Sequence, residues 1–302
     1  YVYMRDGRIK QDFTADTFAQ LSDETRHEMG LRANDLSTLR PADVFHRSRA
    51  TAVLEGFRFA YKNTSEVLHI DRQEIPYGGI VGIIGHNGAG KSTFSRCFCG
   101  LVKRCGTVYV NGTAYRARDR LNWCYMVMQD VGHQLFTETV LDEVLISMAE
   151  ENENDARAIL VSLDLASLAD RHPASLSGGE KQRLVLASAM AAKRPVVFLD
   201  DPTSGLDYRH MSEVARLLTS LRESGQTIYV ITHDPEFICA CCTDILHLSA
   251  GSVAAWYPMD EAGVQKIRDF FRVSEIQSEV EKNPPILMAD SFRIHSKRFS
   301  DM

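Results

Sequence analysis

A glycine-rich loop between an apolar strand and a helix constrains the fold of this chain more than any other segment. The loop Gly85–Thr93 reads GHNGAGKST and follows the wholly apolar run Ile80–Ile84. A short strand without polar residues is typical of a parallel sheet that is covered on both faces. The lysine and hydroxyl residues that close the loop stand where a helix would begin. The segment therefore predicts a strand–loop–helix unit in a parallel α/β fold.

The composition of this loop is that of a phosphate-binding P-loop. Its glycines let backbone amides turn inward onto phosphate oxygens, and the helix N-terminus adds its positive dipole end. Lys91 would reach the β- and γ-phosphates as a point charge, and Ser92 would offer a hydroxyl to Mg²⁺. The candidate nucleotide-binding residues of the loop are Gly85, Asn87, Gly88, Gly90, Lys91, Ser92 and Thr93.

A second apolar run, Val196–Asp200, ends in a carboxylate. Many buried strands end in aspartate, so the run means little alone, but after a P-loop it indicates a magnesium site. We expect this strand to lie beside Ile80–Ile84 and to deliver Asp200 to the metal, through water.

The remaining pattern alternates strands and helices, which favours a parallel sheet covered by helices. A strand pair is expected at 107–110 and 124–128. The other predicted strands are 51–58, 66–70 and 227–232, and the predicted helices lie within 139–169, from 177, and over 208–223.

Composition and charge limit the classes of function. The chain of 302 residues is 44% hydrophobic, enough for one large α/β domain with extensions. Its net charge of −6 argues against nucleic-acid binding through phosphates, which needs clustered basic charge. No apolar run approaches the roughly 18–20 residues that span a bilayer, so a membrane role would require a partner. Seven cysteines without paired CxxC units favour reduced thiols over a zinc site.

The segment Leu176–Arg183, LSGGEKQR, resembles the signature motif of the ATP-binding-cassette (ABC) family. An ordinary serine-capped helix would explain Ser177 but not Gly178 and Gly179. In this family the segment acts on the nucleotide of an opposing domain, through amides at a helix start. The resemblance covers about 51–258. It implies an α/β fold, a P-loop NTPase nucleotide-binding domain of ABC type with an antiparallel β subdomain and a helical subdomain.

The same resemblance assigns roles to single residues and implies ATP and Mg²⁺ as cofactors. Tyr61 matches the aromatic residue that stacks on adenine, although it could instead be a core aromatic. Gln129 matches the glutamine of the Q-loop, Asp207 ends the D-loop sequence SGLD, and His233 matches the switch histidine that hydrogen-bonds the γ-phosphate. The implied metal ligands are Ser92, Gln129 and Asp200, and the implied catalytic residues are Lys91, Gln129, Asp201 and His233.

Asp201 departs from the family pattern, which carries a glutamate directly after the magnesium aspartate to polarise the attacking water. The carboxylate survives but is one methylene shorter, so its oxygens should fall about an ångström short of the water. General-base action contributes ~10²–10⁴-fold to a rate. We therefore predict a site that binds ATP well and hydrolyses it slowly unless the backbone shifts inward.

The stretch that follows Gln129 indicates a sub-family. Its sequence QLFTETV is similar to that of energy-coupling-factor (ECF) ATPases, whose transporters import vitamins and transition-metal ions. There this region forms a groove for a helix of the membrane coupling subunit. Here Leu135, Phe136 and Val140 would supply apolar contacts, or they would pack inside the helical subdomain. The resemblance implies a peripheral protein on the cytoplasmic face of the cell membrane.

The N-terminal stretch Val2–Ile9 resembles Ile245–Val253 in its order of apolar strand, glycine turn and second strand, although any hairpin looks similar. We interpret it as the tail of a preceding ABC domain, which makes this chain the second half of a tandem ATPase. The expected divisions are a remnant at 1–13, a linker helix and loop at 14–50, the ABC domain at 51–258 with its helical subdomain at about 130–177, and a C-terminal appendage at 259–302.

The function implied is the ATP-binding and hydrolysing subunit of an ABC importer, most like the ECF group. Its expected partners are a second ABC domain, head to tail, and a membrane coupling subunit near Gln129–Val140, with no nucleic acid. Two alternatives remain open at this point. One is a soluble tandem ABC ATPase that acts on ribosomes or DNA, and the other is a nucleotide-binding regulatory domain with weak hydrolysis.

Overall fold

The computed structural model describes residues 1–5, 8–33, 35–41, 50–62 and 65–282. The twelve strands of this part are β1 (Val2–Arg5), β2 (Arg8–Asp12), β3 (Ala50–Ala60), β4 (Glu66–Tyr77), β5 (Ile80–Ile84), β6 (Thr107–Val110), β7 (Thr113–Arg116), β8 (Cys124–Val127), β9 (Val196–Asp200), β10 (Thr227–Ile231), β11 (Asp244–Ser249) and β12 (Ser252–Pro258).

The α-helices of the described part fill the intervals between these strands. They are α1 (Ala15–Ala19), α2 (Asp23–Glu28), α3 (Lys91–Phe98), α4 (Ala117–Trp123), α5 (Val140–Leu145), α6 (Glu153–Ser162), α7 (Gly178–Ala192), α8 (Tyr208–Glu223), α9 (Pro235–Cys241) and α10 (Glu261–Lys282).

A six-stranded sheet with the order β12-β11-β5-β10-β9-β8 forms the centre of the molecule. Its strands run parallel except for β12, which pairs antiparallel with β11. The predicted parallel sheet is therefore present, but β9 does not lie beside β5 as we expected. Strand β10 separates them, because it pairs with both neighbours.

A four-stranded antiparallel sheet, β4-β3-β6-β7, packs on one face of the central sheet. The predicted pairing of 107–110 with 124–128 is wrong, because the two strands lie in different sheets. Strand β6 pairs with β3 and with β7, which the sequence analysis missed, whereas β8 pairs with β9.

Side chains of the central strands alternate between two cores. Val197 and Leu199 join the core beneath α8, α9 and α10, and Phe198 joins the core shared with α3 and the antiparallel sheet. A third core holds α5, α6 and part of α7 together as the helical subdomain. This arrangement leaves the carboxyl ends of the parallel strands to carry the site, as is usual for open α/β sheets.

Arg120 is an unusual member of the second core because its side chain is fully buried. Its guanidinium donates hydrogen bonds to the carbonyls of Cys97, Cys105, Gly106 and Tyr115, which replace the water that it loses. All seven cysteines are buried and none is in a disulfide.

The chain outside the predicted ABC domain is more closely packed than we expected. The single amphipathic helix foreseen after residue 14 is instead two short helices, α1 and α2, which are capped by Thr14 and Ser22. At the other end, α10 buries Val264, Ile267 and Phe271 in the first core, so this part of the expected appendage is integral to the domain. Residues 283–302 lie outside the described part of the chain.

Within the described residues, every helix is either too short or too polar to traverse a lipid bilayer.

Candidate nucleotide-binding site

The glycine loop between β5 and α3 has the backbone geometry that phosphate binding requires. Gly90 precedes α3 with a φ of +95°, and a Cβ there would lie 2.9 Å from the carbonyl of Val67, so a larger residue is excluded. Lys91 lies at the first helical position and its ammonium donates to the carbonyls of Gly85 and His86, at 2.7 and 3.1 Å. The loop thus places a cation and the α3 N-terminus at one point.

A single cleft brings together most of the predicted site residues. Ten of them line it, namely Asn87, Gly88, Gly90, Lys91, Ser92, Thr93, Gln129, Asp200, Asp201 and His233. Val67 and Ile231 add apolar surface that the sequence analysis did not assign to the site. Gly85 is not among the lining residues, but its carbonyl accepts a hydrogen bond from the ammonium of Lys91.

The polar groups beside Lys91 fit a magnesium ion that is shared with nucleotide phosphates. The Ser92 hydroxyl lies near the Asp200 carboxylate and favours its ionised form, and Gln129 lines the same cleft. Hydroxyl, amide and carboxylate oxygens are the hard donors that Mg²⁺ accepts when phosphates and water complete its octahedron. Among the described residues there is no group of three or more His, Cys, Asp or Glu side chains that could hold a metal without the nucleotide.

The charged groups of the cleft are all partly withdrawn from water. Burial raises the pKa of Asp200 and of Asp201 above the ordinary value, and burial lowers the pKa of Lys91 and of His233. Such opposed shifts among neighbouring groups are typical of functional sites. A magnesium nucleotide would supply the missing charge partners and stabilise the ionised forms.

Asp201 occupies a left-handed backbone conformation directly after β9, with a φ of +52°. Its amide donates to the carbonyl of Ile231 at 2.8 Å, which fixes the residue against the end of β10. Aspartate tolerates this conformation better than most residues. Asp201 lines the cleft together with His233, which is near enough to interact with its carboxylate electrostatically.

Tyr61 lies at the rim of the cleft rather than in the core. Its side chain is 45% exposed, its hydroxyl bonds the Thr93 hydroxyl at 3.2 Å, and its ring contacts Phe59 edge-on. This exposure rules out the alternative of a core aromatic, and the stacking of Tyr61 on adenine stays a prediction.

Four predicted nucleotide contacts are not in this cleft. Ser177, Gly178 and Gly179 form the start of α7, where the Ser177 hydroxyl and the Glu180 carboxylate cap each other's amides. Asp207 caps α8 and bonds His210. None of these four residues lines the cleft that holds the P-loop residues.

Several polar contacts behind the cleft escaped the sequence analysis, because they join residues far apart in the chain. The Gln182 amide donates to the Pro202 carbonyl and so ties α7 to the loop after β9. The Thr203 hydroxyl donates to Asp234, the residue after His233, at 3.1 Å. The second of these bonds connects the loop that begins at Asp201 to the residues around His233.

The P-loop also contacts the C-terminal helix. The ring of Phe270 on α10 lies 5.1 Å from the rings of both His86 and His247. Burial, and next the neighbouring His86, lower the pKa of His247 below the ordinary value of a histidine. The folded chain therefore prefers His247 neutral.

This shift predicts a pH-dependent stability. Between the lowered pKa of folded His247 and its unfolded value of 6.5, the unfolded chain binds more protons, so stability is complete above that window and is lost as the pH falls through it. We expect the Tm of the nucleotide-free chain to fall between about pH 7.5 and about pH 5.5, and to fall less in H247Q. H133Q, at an exposed histidine, is the control and should show the same change of Tm with pH as the wild type. An equal change of Tm with pH in all three proteins would contradict the assignment of the effect to His247.

The fold and cleft define the chain as a P-loop nucleotide-binding protein, and comparison with known proteins specifies the family. The family model described as ABC transporter matches residues 68–204. The chain is 31% identical to the energy-coupling factor transporter ATP-binding protein EcfA2 of Acetivibrio thermocellus, over 68% of this chain and 75% of that protein. The chain belongs to the ATP-binding proteins of ABC transporters.

Comparison with two further relatives shows how much of the chain the similarity covers. A putative ABC transporter ATP-binding protein of Treponema denticola is 36% identical over 83% of this chain but 53% of its own length. The solved structure of cbiO1 from Clostridium perfringens, part of the ABC transporter complex cbiONQ, matches with a TM-score of 0.61 and 25% identity, over 78% of this chain and 95% of that one. The chain spans about half the length of the first curated relatives that it matches.

Proposed function

We propose that this chain is the ATP-hydrolysing subunit of an energy-coupling-factor importer for a vitamin or a transition-metal ion. The observation that carries the proposal is the exposed Phe136, 74% accessible, in the segment that starts at the cleft residue Gln129. A partner that covers this ring would lie within a few residues of the nucleotide site. The likeness to EcfA2 and to cbiO1 supports the same assignment.

The cleft residues have clear chemical tasks in this proposal. Lys91 and the loop amides bind and orient the triphosphate, and Tyr61 receives the adenine ring. Asp201 accepts the proton of the attacking water, and neutral His233 hydrogen-bonds the γ-phosphate. Magnesium, when bound through Ser92, Gln129 and Asp200, neutralises charge on the β- and γ-phosphates.

A second ABC domain, placed head to tail, completes the proposed site. The start of α7 is the N-terminus of a 15-residue helix, and Ser177 and Gly178 are exposed there. These amides and the helix dipole suit a phosphate that the chain's own cleft does not hold. Binding of the γ-phosphate by both domains would favour the closed pair, and hydrolysis would release it.

The hairpin β1–β2 supports a tandem arrangement as the source of that second domain. It has the antiparallel pairing of β11–β12, and its side chains Val2, Met4 and Ile9 are each more than half exposed. In the central sheet the equivalent hairpin is completed by β5, which pairs with β11. We infer that β1–β2 completes the sheet of a preceding ABC domain in the same way.

The groove proposed for the coupling subunit is narrower than the sequence suggested. Val140 is fully buried in the helical subdomain and Leu135 packs against that core, as the packing alternative required. Of the three apolar residues predicted for the groove, Phe136 is the one with an exposed side chain. The buried Glu143 carboxylate fixes its loop by accepting hydrogen bonds from the amides of Phe136 and Thr137, both at 3.1 Å. A fixed loop with one exposed aromatic ring suits an apolar partner helix.

A photo-crosslinker tests this partner. Benzoylphenylalanine at position 136, expressed in the source cells and irradiated, should capture an integral membrane protein, and F136D should shift the chain out of the membrane fraction. The crosslinker at Val161, which is 65% exposed on α6, is the matched control and should not capture that protein. Capture of ribosomal protein or DNA at 136 would overturn the importer assignment in favour of a soluble tandem ATPase.

The short Asp201 side chain favours a second candidate, a nucleotide-binding regulatory domain with weak hydrolysis. In that case the chain would bind magnesium nucleotide with full affinity, and the whole protein would turn over at the same rate with and without Asp201. Steady-state ATP turnover of D201N in the whole protein separates this candidate from the transport ATPase.

A further inference from the structure

A segment that precedes β3, the first strand of the ABC domain, contacts two elements that carry cleft residues: the loop after β9 and the start of α9. This segment, 26–33, includes the end of α2. The His27 ring stacks on the Tyr208 ring, with centroids 3.6 Å apart and planes within 5°, and the Gly30 carbonyl accepts from the Tyr208 amide at 2.9 Å. The segment is thus fastened to the start of α8.

Arg32 is the centre of this attachment. Its guanidinium pairs with the carboxylates of Asp234 at 2.7 Å and Glu236 at 3.3 Å, and donates to the carbonyl of Leu206 at 3.4 Å. Glu236 in turn bonds the ring of His27 at 2.7 Å. One planar cation therefore joins the loop after β9 to the start of α9.

Both of these joined elements carry cleft residues. The loop after β9 begins at Asp201, and Asp234 directly follows His233. Asp234 also accepts from Thr203 in the same loop, so Arg32 and Thr203 share one carboxylate oxygen. A shift of Asp234 would move His233 and the Asp201 loop together.

We propose that Arg32 is a positioning residue for ATP hydrolysis, which sets the separation of Asp201 and His233 at the γ-phosphate position. The inference rests on the proposed hydrolytic function. Arg32 touches none of the residues that bind the phosphates, so its loss changes turnover and leaves nucleotide affinity unchanged. The segment that precedes the ABC domain is in this way part of the active-site framework.

The chemistry of the contact calls for arginine. Asp234 and Glu236 are 18% and 12% exposed, so both carboxylates need a partner. A guanidinium carries five N–H donors in a fixed planar fork, which lets it contact two carboxylates and a carbonyl at once. Lysine would retain the charge but lose the simultaneous contact with Leu206, and it should rescue turnover in part.

The test compares R32A and R32K with R40A in the whole protein that contains this chain, because the proposed site is completed by a second ABC domain. Arg40 follows the segment in the chain, and among the described residues it donates to the carbonyls of Ser37 and Leu39, so it is the matched control. We expect turnover of R32A to fall about tenfold with its affinity for the non-hydrolysable Mg·AMP-PNP unchanged, since small misplacements of reacting groups cost rate rather than binding. R32K should be intermediate and R40A should match the wild type.

Hydrogen exchange gives an independent reading. Amides of 203–207 and 233–238 should exchange faster in R32A than in R40A, because the contact that joins them is lost. Unchanged turnover in R32A, equal losses in R32A and R40A, or unchanged exchange would each overturn the proposal. If the wild-type chain hydrolyses no ATP, the proposed hydrolytic function fails, and exchange still decides whether Arg32 positions the two loops.

Discussion

Replacing Lys91 with methionine should weaken binding of magnesium nucleotide about 10²–10³-fold, because removing one partner of a buried, hydrogen-bonded charge pair costs about 2–5 kcal/mol. Lys91 is only 8% exposed and lies between the loop carbonyls and the acidic end of β9. Methionine retains most of the aliphatic stem, so the loss reports the charge rather than the packing. Titration of the chain with Mg·AMP-PNP measures it.

The matched control is K103M, at an exposed lysine of the turn after α3. It removes the same charge from the same half of the domain and should leave nucleotide affinity unchanged. The nucleotide-free K91M protein should retain its fold by circular dichroism, and its stability should not fall, because burial already lowers the pKa of Lys91. Wild-type affinity in folded K91M would contradict the identification of the phosphate site.

The residues of the cleft could largely be predicted from the sequence, because the chemistry demands particular residues at fixed spacing. Gly90, Lys91 and Ser92 must follow one another where a strand passes into a helix, whatever the rest of the chain does. The structure brings them to one cleft with Gln129 and His233, which are distant in the chain. The ABC fold followed from the same motifs and is confirmed by the solved relatives.

The order of the strands in the central sheet was harder to predict from the sequence. Val196–Asp200 is apolar on both faces, so its pattern shows that it is central but not which strand lies beside it. The error of pairing 107–110 with 124–128 has the same origin, since nothing in either run reveals that one lies in the antiparallel sheet. Neighbours in a sheet are fixed by tertiary packing that a local pattern does not record.

The attachment of Arg32 could not be foreseen either. A charged residue in a stretch of mixed charge predicts a solvated surface, and only the folded chain shows that Asp234 lies opposite. Likewise, the apolar face of α10 is interrupted by charges, and its burial of Val264 and Ile267 depends on the open face of the first core. Arg32 and Asp234 are 202 residues apart in the chain, and Arg268 of α10 donates to the carbonyl of Leu36, 232 residues away.

Asp201 should prove to be the residue that limits hydrolysis. In D201N the carboxylate loses its charge while the size of the side chain is kept, so turnover should fall ~10²–10⁴-fold if Asp201 is the general base. Affinity for Mg·AMP-PNP should remain or increase, since burial raises the pKa of Asp201 and so disfavours its negative charge. Measurement of single-turnover ATP hydrolysis beside equilibrium binding separates these two effects.

The opposite substitution tests whether the carboxylate is too short. D201E adds one methylene, which carries the oxygens about 1.5 Å further into the cleft, and single-turnover hydrolysis should become faster. The backbone sets a limit on the gain, because a φ of +52° suits aspartate better than glutamate and the amide is held by Ile231 at 2.8 Å. D201E should therefore be slightly less stable than the wild type while it turns over faster.

D119E, which adds the same methylene at the start of α4, is the control and should leave the rate of hydrolysis unchanged. If D201E is no faster than the wild type, the left-handed backbone has already brought the aspartate within reach of the water, and the length of its side chain does not limit this site.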